Sequence, residues 1–118
     1  MIRVTHSYNT VRPDTRLENR WEDIAIKAYA AEALGETAIY NKLRQFLNDE
    51  YNQWRANAEY ECKKKSHKDW LGGGESYSVI STNPLETHQF YRSLFAKMPR
   101  ETILQFLAQR RGNQRPYY

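Results

Sequence analysis

Residues 36–64 read ETAIYNKLRQFLNDEYNQWRANAEYECKK, and the spacing of apolar side chains in this stretch decides the fold class. Ile39, Leu43, Phe46, Leu47, Tyr51, Trp54, Ala58 and Cys62 recur at helical intervals, while Asn41, Lys42, Asn48, Asp49, Asn52 and Arg55 fall elsewhere around the cylinder. A helix over this whole stretch rises about 43 Å at 1.5 Å per residue. That is long for a small domain, so the pattern predicts a central helix that projects beyond a small core or pairs with another chain. Leu43, Leu47, Tyr51 and Trp54 are accordingly candidate protein-interface residues.

Upstream, Gly35 offers a stop to an earlier helix. Thr15 and Glu18 form the S/T-x-x-E pattern of a capping box, and Leu17, Trp21, Ile24, Ala28 and Ala31 follow on one face. Residues 1–13 mix Ile2, Val4, Tyr8 and Val11 with polar residues up to Pro13, which reads as an extended arm. Downstream, Gly72, Gly73 and Gly74 predict a flexible joint, because three glycines in a row hold neither helix nor strand well. Tyr77, Val79 and Ile80 then fit a short strand or an ordered loop.

Asn83, Pro84 and Glu86 make a third helix start, with a capping amide, a proline at the first helical position and an acid in the first turn. Phe90, Tyr91, Leu94, Phe95 and Met98 supply its apolar stripe. Pro99 ends that helix and opens a last one, in which Ile103, Leu104, Phe106 and Leu107 pack inward and Arg110 and Arg111 occupy the final turn before a tail at 112–118. The expectation is a mainly all-α single domain, 1–118, of about four helices.

Composition narrows the function classes. Leu, Ile, Val and Phe make up 22 of 118 residues, close to the edge below which globular folding becomes doubtful. Three tryptophans and nine tyrosines offset that thin aliphatic core. The one cysteine excludes an internal disulfide, no apolar leader follows Met1, and no apolar run approaches the roughly 20 residues of a membrane span. A cytoplasmic location follows as the expectation.

Catalytic patterns are weak. His6, His67 and His88 lie in separate segments without ligand spacing, and Cys62 with His67 makes neither a zinc site nor a nucleophilic pair with an orienting third group. The acidic pairs Glu22/Asp23 and Asp49/Glu50 point about 100° apart on a helix, Glu59/Glu61 still further, and all read as solvated faces. The triple glycine lacks the Gly-Lys-Ser/Thr ending of a phosphate loop. A non-catalytic chain with no cofactor and no metal is expected.

What remains is an uneven charge. The net charge of +4 divides into 8 basic and 10 acidic residues up to Cys62, against 10 basic and 4 acidic from Lys63 onward. Lys63, Lys64, Lys65, Lys68 and Trp70 form one basic cluster with an aromatic; Arg110, Arg111, Arg115, Tyr117 and Tyr118 form another. Cations neutralise phosphates and aromatic faces stack on unpaired bases, so both clusters have the ingredients of a single-strand nucleic-acid contact. The same lysines also suit the negative end of a helix dipole. The leading expectation is a small helical subunit of a nucleoprotein assembly that touches RNA or DNA through its basic C-terminal half. The alternative is an adaptor or assembly factor that dimerises or docks through its long amphipathic helix. A helix-turn-helix corner at Lys97–Pro99, with Arg100, Thr102, Gln105 and Gln109 outward, is a lesser candidate because the turn glycine is missing.

Overall fold

A carboxylate, a glycine and three aromatic rings set the first half of the architecture. In the computed structural model, which describes residues 10–69 and 78–113 (the backbone alone at 65–69 and 111–113), helix α1 runs Thr15–Ala33. Its cap is Asp14, whose Oδ1 accepts from the Leu17 N–H at 2.8 Å. Thr15 is therefore the first helical residue and not the cap, because a carboxylate one position earlier both satisfies the free N–H and complements the positive helix end. At the other end the Gly35 N–H donates to the Glu32 carbonyl at 3.1 Å and the Glu36 N–H to the Ala31 carbonyl at 2.8 Å. This closing pair needs a left-handed residue, and Gly35 supplies it at φ 82°.

Helix α2 then runs back along α1 from Thr37 to Asp69. Its 33 residues exceed the expected span, and the lysine-rich stretch lies within the helix instead of after it. Leu47 and Tyr51 are buried against α1, with Leu43 and Trp54 half-buried at the margin. Trp21 meets Tyr51 edge-on at 6.0 Å and Trp54 edge-on at 5.8 Å. Such aromatic pairs contribute about 0.5–1.5 kcal/mol each beyond the area they bury.

The remaining elements are strand β1 (Thr10–Val11), strand β2 (Ser78–Val79) and helices α3 (Pro84–Thr87), α4 (Phe90–Ala96) and α5 (Arg100–Asn113). β1 and β2 pair in parallel, Thr10 with Ser78 and Val11 with Val79, so the α1–α2 hairpin is the crossover between them. In the described part of the expected arm, residues 10–13, Thr10–Val11 form a true, if minimal, strand; residues 1–9 lie outside the described residues. The chain is mainly helical as its patterning predicts, with five helices among the described residues where about four were expected.

The extra helix comes from a break at His88 and Gln89. In an unbroken helix the Gln89 N–H would reach the Leu85 carbonyl, but the buried Tyr29 hydroxyl donates to that carbonyl at 2.7 Å. Gln89 turns instead to the Glu86 carbonyl at 3.2 Å, and Tyr91 and Arg92 make the same tightened bonds to His88 and Gln89. Pro99 separates α4 from α5, its carbonyl accepting from the N–H groups of Thr102 and Ile103. α5 includes Gly112 and Asn113, so the helix reaches into the stretch expected to be tail.

α1, not α2, is the central helix. It touches α2, α3, α4 and α5, and Ala25, Ile26, Ala28 and Ala30 have no solvent exposure. The molecule is elongated, 59 × 31 × 29 Å with a radius of gyration of 18.4 Å, where a compact chain of this length would give about 13 Å. Gly72–Gly74 and residues 114–118 lie outside the described residues.

A methyl group at Gly35 would meet nothing within 4 Å, so only the backbone conformation opposes a side chain there. Gly35→Ala is expected to destabilise the chain by about 1–2 kcal/mol, measured by urea unfolding. An unchanged unfolding midpoint would refute the role given to this turn.

Candidate functional site

The ring cluster marks the register of the α1–α2 hairpin, and that register decides which part of α2 is covered. From Trp21 back to Thr15, α1 rises about 9 Å; from Trp54 on to Asp69, α2 rises about 22 Å. The last eight or so residues of α2, by this measure roughly 13 Å, therefore run past the start of α1. Tyr60, 62% exposed, stands where this overhang begins; on it Lys63 and Lys64 are exposed, and the Lys64 ammonium lies 5.7 Å from the Tyr60 ring centroid. Lys65 and Lys68 belong to the same helix by their backbone.

The second basic cluster is placed differently. The Arg110 Nη2 donates to Asp23 Oδ1 at 3.4 Å, and the side chain is half-buried between α5 and α1. Asp23 also takes Lys27 at 2.8 Å. Arg110 thus helps to tether α5 to α1 through Asp23. Arg111 is placed only by its backbone on α5, and Trp70 and Arg115 lie outside the described residues.

The four interface candidates also change role. Leu47 and Tyr51 are consumed by the chain's own core, and Leu43 and Trp54 pack against it. Leu47 and Tyr51 offer no docking face while α1 is in place. The large apolar side chains left exposed are others: Ile39 and Phe46 on α2, Phe90 and Leu94 on α4, and Leu104 on α5. The linear pattern assigned all five to buried stripes, because periodicity marks a face but not how much of it a neighbour covers.

A cleft of about 840 Å³ opens between the first turns of α1, the β1–β2 pair and α3. Arg12, Glu18, Asn19, Glu22, Thr87 and His88 contribute its polar lining. Glu22 Oε2 accepts from the Tyr91 hydroxyl at 3.3 Å and lies 3.9 Å from His88 Nδ1. Burial pulls the His88 pKa below its ordinary 6.5, with Glu22 and Glu18 opposing that shift. Burial likewise pushes the Tyr91 hydroxyl above its ordinary 10.0, helped by Glu22. Sequence inspection left His88 isolated; its partner Glu22 is brought to it only by the packing of α3 on α1. Cys62 is half-buried on α2 and does not line the cleft.

Among the described residues no group of three His, Cys, Asp or Glu has metal-binding geometry. No helix there is long and apolar enough to cross a membrane. Comparison with known proteins finds no matching family model, curated protein or solved structure.

The lowered His88 pKa has a definite sign in stability. The unfolded chain takes up a proton at His88 near 6.5 while the folded chain resists it, so stability is fully present above that pH and falls as pH drops through and below it. Thermal melts stepped from pH 7.5 to 5 should show Tm declining below about 6.5, and His88→Gln should make that decline shallower. An equal decline in the variant would assign the acid sensitivity elsewhere.

Proposed function

We propose that this chain is a non-catalytic, nucleic-acid-contacting subunit of a nucleoprotein assembly, and that its contact surface is the overhanging end of α2. The observation that carries the reading is a run of consecutive lysines on one helix, the first two exposed and, among the described residues, without ion pairs, beside an exposed ring. Arg20 is paired with Glu50, Lys27 and Arg110 with Asp23, and Arg92 with Glu32. Lys63 and Lys64 have no carboxylate partner among the described residues, and beside them stands the exposed ring of Tyr60. Exposed cations next to an aromatic face suit single-stranded RNA or DNA, whose phosphates and unpaired bases need those two contacts. Lys65 and Lys68, on the same helix, would extend the basic track.

The supporting experiment is a salt titration. The variant Lys63→Gln/Lys64→Gln/Lys65→Gln should bind a single-stranded oligonucleotide more weakly than the natural chain. Its plot of log affinity against log salt should be shallower by about 2, since each single-strand phosphate contact contributes about 0.7. Arg110→Gln is the control: it should leave binding unchanged and lower stability by about 0.5–1 kcal/mol, the scale of a partly exposed ion pair. No binding by the natural chain at low salt, or an unaltered slope in the triple variant, would end this reading.

A further inference from the structure

The carboxylate of Glu22 stands where α1, α3 and α4 meet, and two groups approach one of its oxygens. The Tyr91 hydroxyl from α4 donates to Oε2 at 3.3 Å, while Nδ1 of His88, the residue that closes α3, lies 3.9 Å from the same oxygen. The first contact is a long hydrogen bond and the second is beyond hydrogen-bond range. His88 also sits in the break between α3 and α4, where the backbone makes short-range turn bonds and no continuous helical ladder. Movement at this position requires no helix to be unwound. Glu22 and His88 both face the cleft, so a change in their pairing alters its wall.

We propose that protonation of His88 transfers Glu22 Oε2 from the Tyr91 hydroxyl to the imidazolium, coupling the α1–α4 seam and the shape of the cleft to pH. A neutral imidazole has little claim on the carboxylate against a phenol. The imidazolium adds a charge-assisted bond, roughly twice as strong as a neutral one, and a separation of under 1 Å beyond bonding range is closed by rotamer adjustment of either side chain. The charged groups around the pair are Glu18 from α1, which acts on His88, Arg110 from α5, which acts on Tyr91, and Arg12 across the cleft. The two carboxylates of α1 favour the proton on His88, and burial opposes it, so the transfer falls on the acid side of neutrality. Once released, the Tyr91 ring keeps its contacts with Phe90 at 4.2 Å and Phe95 at 6.0 Å, so the seam is readjusted and not opened.

The test is a proton NMR titration of the full chain from pH 8 to 5, following the ring signals of His88 and Tyr91, assigned by their disappearance in His88→Asn and Tyr91→Phe. In the natural chain the two rings should shift along one curve with a midpoint below 6.5. Glu22→Gln should abolish the Tyr91 response and lower the His88 midpoint further, because a favourable negative charge is gone. Tyr91 signals that stay flat while His88 titrates would overturn the proposal on the natural chain alone. So would a Glu22→Gln variant whose two curves match those of the natural chain.

Discussion

The indole N–H of Trp21 is the constraint around which the first half of the molecule is arranged. Trp21 is 3% exposed, and a buried N–H without an acceptor would cost about 1–3 kcal/mol. Glu50 provides that acceptor at 3.0 Å, and its carboxylate also takes the Arg20 guanidinium through both oxygens, at 3.2 and 2.7 Å. One acid on α2 therefore answers a buried donor and an exposed cation from adjacent residues of α1. This geometry admits only one axial register of the two helices, because sliding either by a residue separates Glu50 from both donors. With the register set, Tyr51 and Trp54 are brought to the edges of the same indole. The Tyr51 hydroxyl in turn donates to the Ile80 carbonyl at 2.8 Å, which ties β2 to the hairpin.

Legibility in the linear chain follows the range of the interaction that decides each feature. Gly35, Asn83 and Pro84 act on backbone groups within a few residues of themselves, and the helix ends they mark are where their chemistry places them. The break at His88 is opaque because it coincides with a contact from 56 residues away, the Tyr29 hydroxyl donating to the Leu85 carbonyl. The same holds for the sites. Lys63 and Lys64 are readable as exposed cations, since nothing in their neighbourhood could bury them. Arg110 reads alike but is held by Asp23, 87 residues distant. Glu22 and Asp23 look like one solvated acidic pair, yet they diverge around α1 to serve His88 and Tyr91 on one side and Lys27 and Arg110 on the other.

A scarcity of large aliphatic residues explains why α1 occupies the centre. Ala25, Ala28 and Ala30 let neighbouring helices approach it closely from several directions, which reduces the volume that larger side chains must fill. Ile26, Leu47, Phe95 and Ile103 are the largest fully buried side chains, and one such residue from each of four helices suffices. A core of this kind is short along its axis. It ends near the first turn of α1, and α2 continues without it.

That continuation bears on how the lysines are to be understood. A helix ending near Lys64 would make Lys63, Lys64 and Lys65 a complement to the negative end of its dipole, an effect confined to the last turn. The helix ends instead at Asp69, more than one turn beyond Lys64. Of the four lysines only Lys68 lies in the last turn, and Asp69 beside it carries the sign that the dipole disfavours. The side-chain contacts along α2 just ahead of the overhang run through other groups, Gln53 with Asn57 and Arg55 with Glu59. Lys63 is thus left without a role in holding the helix, and the repulsion between it and Lys64 is offset by no carboxylate pair among the described residues. A polyanion laid along the overhang is the kind of partner that would offset it.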